Sequence, residues 1–443
     1  MIYDFIEIEH SHSKAMYEQL YEQIRLGIDN KLIESGVRLP SIRNASIELQ
    51  VSRTTIENAY FRLCNEGYLE NRPQRGFFVK TPPQKNLQTE VKIEKTISYL
   101  YDFSSTKIDV SVADIPIWKK YLRQVLNKEE EIVAYGEAQG EYCLRKAISN
   151  YSYSARAVIS TADQIVIGAG IQALISIFCC INEKTIVAFE YPGFKQAEQV
   201  FKDYGFKVVI INDPNHPELK LENSNADIYF HIASLKLKTS AANLHAERER
   251  IGKWLKLSDK HYLIEDDFNG ELRFKTRLIP IMQTINPERV IYMGSFSKLL
   301  LPSVRIAYAV LPEKLLKRYL ETANYYNQTA SKIEQIALSE YINDGYLEKH
   351  LRRLKKLYLE KSEYLLRLIN DNFENAEAKI LESSLAIVFN PHLNLSDEEI
   401  ETRCDKALIK VDSINNGLLR LNFAGIKLEQ MEDATLKLKE ALS

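Results

Sequence analysis

The stretch Ser52-Arg-Thr-Thr-Ile-Glu-Asn-Ala-Tyr-Phe-Arg-Leu63 has the pattern of a short amphipathic helix. Its apolar side chains follow the i, i+3, i+4, i+7 spacing of one helix face, and they are Ile56, Ala59, Tyr60 and Leu63. Ser52 and Thr54 are both suited to the N-cap position, and Glu57 would complete a capping box with Thr54. The sequence therefore predicts a helix that begins near Ser52 or Thr54 and runs through Leu63.

The segments on either side of this helix predict a small domain. Upstream, residues 14–33 have apolar side chains at helical spacing, and a second short helix is expected after Pro40 with Ser41 as its N-cap. Downstream, residues 67–70 and 76–79 have the pattern of two short strands around a basic tip at residues 71–75. Helices joined by a short turn and followed by a β-hairpin are typical of a winged helix-turn-helix.

Charge is distributed unevenly in this part of the chain. The net charge of all 443 residues is -2, which by itself argues against a nucleic-acid partner. Residues 1–35 contain three Lys/Arg and seven Asp/Glu, whereas residues 36–80 contain seven Lys/Arg and four Asp/Glu. The basic segment therefore coincides with the predicted second and third helices and the hairpin.

Residues 38–43 and 50–79 closely resemble the GntR-type winged helix, and the resemblance extends over about residues 14–79. It implies double-stranded DNA as a partner, since the start of the recognition helix meets base edges in the major groove. The expected base contacts are Arg53, Thr54, Thr55 and Asn58. The expected phosphate contacts are Ser41, Arg43, Ser52, Arg72 and Arg75. The alternative is that these side chains form the solvated face of an ordinary three-helix domain.

The remainder of the chain predicts an α/β domain. Residues 81–97 lack an apolar period and predict a linker between an N-terminal domain at 1–80 and a larger domain at 98–443. Apolar runs alternate with helical segments in the larger domain, which is typical of a mainly parallel sheet covered by helices. The predicted strands are 164–167, 185–189, 207–211, 227–231, 262–265, 290–293 and 306–311.

The segment Gly294-Ser-Phe-Ser-Lys298-Leu-Leu-Leu-Pro-Ser-Val-Arg305 resembles the lysine loop of fold-type I proteins that bind pyridoxal 5'-phosphate. The resemblance implies that Lys298 forms an imine with the cofactor aldehyde and that Ser295 and Arg305 hold its phosphate. Residues 264–268 resemble the family segment in which an aspartate, here Asp266, pairs with the pyridine nitrogen and keeps the ring cationic. The family then places a tyrosine near the ring oxygen, where this chain has Phe268.

Other segments extend the same resemblance. The glycine turn at residues 168–174 implies a phosphate cradle of backbone N–H groups at Gly170, Ile171 and Gln172. Residues 190–194 imply that Phe194 lies on the pyridine face. Residues 135–140 imply that Tyr135 reaches the phosphate in a neighbouring subunit, and hence a homodimer. Residues 419–426 imply that Arg420 binds the α-carboxylate of an amino compound.

A GntR-type winged helix joined to an aminotransferase-like domain resembles the MocR/GabR group of regulators, with a smaller C-terminal α+β subdomain expected. Phe268 and the altered segment 231–240 remove expected contacts to the ring oxygen, so we expect transamination to be impaired and assign no catalytic residue. Gln196 replaces an arginine of the GABA-sensing members. The main hypothesis is a regulator that senses pyridoxal phosphate or its adduct with an amino compound. The alternatives are an active aminotransferase and a cofactor-free scaffold.

Composition limits the other possibilities. Five scattered cysteines form no C-x-x-C pair, which predicts neither a disulfide framework nor a zinc site. The N-terminus lacks the pattern of a secretion signal and the apolar runs are short, so we expect a cytoplasmic protein without a membrane partner.

Overall fold

A computed structural model describes residues 2–8, 14–80, 98–104, 107–108, 113–232, 241–267, 269–275, 280–374, 376–381, 384–393, 395–415 and 417–443. The chain forms two compact units, Met1–Thr96 and Ile97–Ser443. The predicted linker at residues 81–97 lies outside the described residues, so its conformation stays a prediction.

The first unit is a winged helix-turn-helix, as predicted. Its helices are α1 (Met16–Asp29), α2 (Ile42–Glu48) and α3 (Arg53–Asn65), and its antiparallel hairpin is β1 (Leu69–Arg72) and β2 (Gly76–Val79). The α3 stripe of Ile56, Tyr60 and Leu63 is fully buried in the core of this unit. Residues 36–39 run alongside β2, because Gly36 N–H donates to Val79 O at 2.8 Å and Leu39 N–H donates to Phe77 O at 2.9 Å.

The N-caps of the two short helices decide where each begins. Ser41 caps α2, and its Oγ accepts a bond from Asn44 N–H at 3.2 Å. Ser52 caps α3, and its Oγ accepts a bond from Thr55 N–H at 3.1 Å. The predicted capping box of Thr54 with Glu57 is wrong, because Thr54 already lies in the first helical turn.

The second unit contains many alternating helices and strands. From its start to the middle of the large sheet they are β3 (Tyr101–Asp102), α4 (Ile115–Leu126), α5 (Glu129–Ile132), α6 (Tyr142–Arg156), β4 (Ile165–Gly168), α7 (Ile171–Ile181), β5 (Ile186–Glu190), α8 (Lys195–Asp203), β6 (Lys207–Ile211), β7 (Ile228–His231), α9 (Ala241–Leu257) and β8 (Tyr262–Asp266). The later ones are β9 (Val290–Ser295), β10 (Ala307–Val310), α10 (Glu313–Ala323), α11 (Lys332–Asn343), α12 (Tyr346–Asn372), β11 (Glu377–Leu381), β12 (Ala386–Asn390), α13 (Asp397–Lys406), β13 (Ile409–Lys410), β14 (Asp412–Asn415), β15 (Leu418–Asn422) and α14 (Met431–Leu442).

A seven-stranded sheet forms the centre of this unit, in the order β4-β10-β9-β8-β7-β5-β6. All strands run in one direction except β10, which is antiparallel to both of its neighbours. Apolar side chains are buried on both faces; Phe230 and Ile264 pack on one side, and Tyr229 and Leu263 pack on the other. Burial on both faces is what a parallel sheet covered by helices requires.

The C-terminal part forms a smaller α+β layer. Its four-stranded antiparallel sheet has the order β11-β12-β15-β14, and α12, α13 and α14 pack near it. β13 pairs in parallel with β3, which joins the beginning of the unit to its end. Among the residues that the structure describes, no helix combines the length and the apolar character needed to cross a bilayer.

Candidate functional site

The exposed face of α3 presents most of the predicted base-contacting side chains. Arg53, Thr54 and Asn58 are exposed, since they lie opposite the buried stripe. Thr55 is half-buried, and its Oγ1 lies 2.8 Å from the Oγ of Ser52. The hydroxyls of Ser52 and Thr55 are therefore engaged with the helix cap, whereas the other three side chains project outward.

The hairpin adds basic side chains of two kinds. Arg75 is exposed in the turn. Arg72 donates to Glu70 Oε2 at 3.0 Å and lies 4.5 Å from the centroid of the Phe78 ring, so part of its charge is already compensated. Ser41 and Arg43 are exposed at the start of α2.

Arg38 is a basic side chain at the hairpin that the sequence reasoning did not select. Residue 38 forms an isolated antiparallel bridge with Phe78, and its side chain is exposed. Its Nε lies 3.3 Å from the position that a Cβ at Gly76 would take. Its place in the basic segment 36–80 was the available signal, but only the pairing with β2 brings it beside the hairpin turn.

The carboxyl ends of the parallel strands bring several of the expected cofactor contacts to one edge of the large sheet. Ala307 of β10 pairs with both Gly168 of β4 and Ser295 of β9, and Asp266 of β8 pairs with Met293 of β9. The carboxyl ends of β4, β9 and β8 and the start of β10 therefore lie side by side. This edge is where ligands bind in open α/β sheets.

Asp266 is a buried carboxylate without a hydrogen-bond partner for one oxygen. Its side chain is 3% exposed, and its Oδ1 has no partner among the described residues. Burial, and next the charge of Asp267, raises the pKa of Asp266 to about 7. A cationic group beside this oxygen would restore the ionised form, since an opposite charge favours it.

Lys298 lies in the loop that follows β9 and is 8% exposed. Burial, and next the positive charge of Arg420, lowers the pKa of Lys298 to about 8. Arg420, on β15, also donates to Asp412 Oδ2 at 3.1 Å. The fold thus brings a C-terminal arginine into the electrostatic environment of Lys298, and burial makes the lysine a better nucleophile near neutral pH.

A narrow cradle forms where α7 begins. Gly170 is the N-cap of α7 with φ +98°, and a Cβ added there would lie 2.5 Å from Nη2 of Arg305. Arg305 is exposed, and Ser295 Oγ accepts from Ser297 N–H at 3.3 Å. The backbone N–H groups of the first turn, which begins at Ile171 and Gln172, and the Arg305 guanidinium are a suitable combination for an anion.

The other two described residues that are expected to contact the cofactor, Phe194 and Tyr135, differ in exposure. Phe194 is half-buried at the start of α8, with its ring centroid 6.3 Å from that of Phe230. Tyr135 is 94% exposed. Phe268 and residues 233–240 lie outside the described residues, so the predicted loss of contacts to the ring oxygen stays a prediction.

A buried polar network next to Asp266 was missed by the sequence reasoning. Arg156 Nη2 donates to Asp267 Oδ1 at 2.9 Å, and Tyr292 Oη donates to Asp267 Oδ2 at 2.8 Å. Tyr151 Oη contacts Glu271 Oε1 at 3.4 Å. No local pattern relates residues 111 positions apart, so only the tertiary contact reveals this pair.

Comparisons with known proteins define the class. Residues 16–79 match the family described as bacterial regulatory proteins, gntR family, and residues 101–438 match aminotransferase class I and II. The chain belongs to the aminotransferase class I and II family with a GntR-type N-terminal domain, which is the composition of the MocR/GabR subfamily of GntR-type regulators.

Individual relatives agree with this class. The chain is 30% identical over 450 residues to the uncharacterized HTH-type transcriptional regulator YdeL of Bacillus subtilis (strain 168), with 96% of each chain covered. It is 28% identical to the probable rhizopine catabolism regulatory protein MocR of Rhizobium meliloti, covering 80% of this chain and 77% of the relative. The structure of kynurenine aminotransferase from Pyrococcus horikoshii covers 79% of this chain and 92% of its own, with 19% identity and a TM-score of 0.66, which shows the common fold.

Proposed function

We propose that this protein is a DNA-binding transcription regulator whose aminotransferase-like unit binds pyridoxal 5'-phosphate through Lys298. It responds to the cofactor or to the cofactor's adduct with an amino compound. The observation that carries the cofactor assignment is the buried, unpartnered Oδ1 of Asp266 on the same sheet edge as Lys298. The relatives described as HTH-type transcriptional regulators support the DNA-binding part.

The described residues are suited to the two charged ends of such a cofactor. Asp266 would hold a cationic ring nitrogen, because ion pairing would offset the cost of burying the carboxylate. The first turn of α7 together with Ser295 and Arg305 is suited to a phosphate dianion. When bound, the cofactor supplies an aldehyde for an amine and an electron-withdrawing ring.

The protein's own residues indicate which chemical group the effector carries. Arg420 holds a cationic guanidinium near Lys298, so a carboxylate on the amino compound would compete with Asp412 for it. Such a ligand changes DNA binding only through different affinities for two arrangements of the protein. Allosteric coupling between two sites typically changes affinity by about 5- to 150-fold. Tyr135 supports a homodimer, because its exposed ring is free of the core of its own chain.

Spectral titration tests the cofactor assignment. Adding pyridoxal phosphate to the full-length protein should give a visible absorption band that Lys298→Ala abolishes. Lys314→Ala, at an exposed lysine on α10, is the matched control and should leave the band unchanged. A band of equal intensity in Lys298→Ala would contradict the assignment.

A binding assay on operator DNA selected by the protein from random sequences tests the DNA-binding surface. Arg53→Ala should cost about 1 to 3 kcal/mol on the operator and relax one base position, whereas Arg75→Ala should weaken binding to all sequences alike. Equal losses of the Arg53→Ala variant on operator and random DNA would contradict its role in base readout.

Turnover assays separate the regulator from the alternative, a working aminotransferase. The cofactor-loaded protein is mixed with amino acids and an oxo-acid acceptor, and product is followed. We expect negligible product, and multiple turnovers on the order of 1 per second or faster would favour the enzyme.

A further inference from the structure

Three potential metal ligands meet on the face of the sheet that α9 covers. They are Glu190 at the end of β5, His231 at the end of β7 and Glu247 on α9, and one ligand atom from each lies within 4.8 Å of the others. His231 is 5% exposed, and the two carboxylates are half-buried. Adjacent strands place Glu190 beside His231, since Phe189 pairs with Phe230.

Packing of α9 on the sheet fixes the third ligand. Ile251 and Trp254 of α9 are buried against Tyr229 and Leu263 in one cluster. Glu247 lies one turn before Ile251 and therefore on the same face of the helix. This face directs the Glu247 side chain toward the strand ends.

Neighbouring polar groups orient the two ligands on the sheet. The Tyr229 hydroxyl lies 3.2 Å from His231 Nδ1 and donates to Glu190 Oε2 at 3.2 Å. Asn212 Nδ2 donates to Glu190 Oε1 at 3.1 Å. Hydrogen bonds of this kind orient metal ligands and tune metal affinity in known metal sites.

The charges of the cluster match a divalent cation. Two ionised carboxylates and one neutral imidazole form a ligand set of charge -2, which suits a divalent cation.

Imidazole and carboxylate ligands together suit a first-row transition metal such as zinc. A tetrahedral zinc ion with bonds of about 2.0–2.2 Å holds its ligand atoms roughly 3.4 Å apart. The three ligand atoms lie within 4.8 Å of one another, so they would have to approach by at most about 1.4 Å to reach that spacing.

We propose that Glu190, His231 and Glu247 form a binding site for one zinc-class divalent metal ion. The ion joins the carboxyl ends of β5 and β7 to α9. Glu190 directly precedes residues 191–194, which end in Phe194, an expected contact of the cofactor ring. The site stands independently of the proposed function, because none of its ligands is an expected cofactor contact.

Calorimetric titration with zinc chloride tests the site in the full-length protein after chelator treatment and dialysis. A Cys143→Ser, Cys180→Ser background removes the exposed thiols, which also bind zinc. We expect one zinc ion per chain, lost in His231→Asn and in Glu247→Gln. Tyr229→Phe should keep the ligands and weaken binding about 10- to 100-fold.

A second histidine–glutamate pair on α9 provides the matched control. His245 and Glu249 are exposed, with Nε2 3.4 Å from Oε1, and His245→Asn should leave the zinc affinity unchanged. Absence of stoichiometric zinc binding, or unchanged affinity in Glu247→Gln, overturns the proposal and leaves a histidine–carboxylate cluster only. Cobalt spectra of the unmutated chain provide a test that does not depend on whether a variant folds. Absorption bands of oxygen and nitrogen ligation support the site. Thiolate charge-transfer bands alone overturn it.

Discussion

At the scale of single residues, burial changes the chemistry of groups whose identity the sequence already indicated. Lys298 and Asp266 were selected from their motifs, but their shifted pKa values arise from the surrounding fold. Burial lowers the pKa of Lys298 and raises that of Asp266, because a low-dielectric environment disfavours the charged form of each. Both groups therefore titrate near neutral pH.

Replacement of Arg420 tests the electrostatic cause at Lys298. Only the neutral amine attacks an aldehyde, so binding of pyridoxal phosphate should accelerate as pH rises through about 8. Arg420→Gln removes a positive charge and leaves Asp412 unpaired, and both changes favour the protonated lysine. The midpoint of the rate against pH should therefore move upward in Arg420→Gln and stay near its original position in Arg420→Lys. A midpoint that stays the same or falls in Arg420→Gln argues against this coupling.

At the scale of elements, strand ends and helix starts position the candidate sites. The cradle begins where β4 gives way to α7, and the DNA-facing side chains follow the N-cap of α3. The sequence located α3 correctly but allowed two N-caps. The structure selects Ser52, because only that hydroxyl accepts a hydrogen bond from the third residue after it, whereas Thr54 is already helical.

The choice of N-cap predicts different costs for two similar substitutions. Ser52→Ala leaves the N–H of Thr55 without its acceptor and should lower the free energy of unfolding of the first unit by about 1 kcal/mol. Thr54→Ala, at an exposed position in the first turn, should change it by less than about 0.5 kcal/mol. Denaturant unfolding followed by circular dichroism measures both. A larger loss for Thr54→Ala than for Ser52→Ala would return the cap to Thr54.

At the scale of the whole molecule, an exposed tyrosine points to assembly. Tyr135 is 94% exposed, although the family resemblance implies that it contacts the cofactor phosphate. A side chain that reaches the site of a second copy satisfies both requirements. The proposed homodimer would then build each cofactor site from two chains.

Mixed dimers test this arrangement. Tyr135→Phe should weaken binding of pyridoxal phosphate about 10-fold or more, since a hydrogen bond to a charged group is worth about 1.5–3 kcal/mol. Tyr153→Phe, at an exposed tyrosine of α6, is the control and should have no effect. A mixed dimer contains one Lys298→Ala chain and one Tyr135→Phe chain. If each site is shared between chains, one of its two sites keeps both Lys298 and Tyr135. Half of the sites should then bind with the original affinity. If no site does so although Tyr135→Phe alone weakens binding, Tyr135 acts within its own chain.

The sequence by itself determined the local features of this protein. Turn residues, caps and apolar periods act over a few positions, so the winged helix-turn-helix and the seven strands of the large sheet could be predicted to within a few residues. The residues of the candidate cofactor site, Lys298 among them, were expected because several short segments resemble those of fold-type I proteins.

Only the tertiary structure decided which residues far apart in sequence come into contact and how their charges interact. The pairing of Arg156 with Asp267, the approach of Arg420 to Lys298 and the cluster of Glu190, His231 and Glu247 all join separate elements. Their partners are set by sheet order and helix packing, which depend on burial of apolar surface by the whole unit rather than on local pattern. Likewise, Oδ1 of Asp266 lacks a hydrogen-bond partner only because the folded sheet removes it from water.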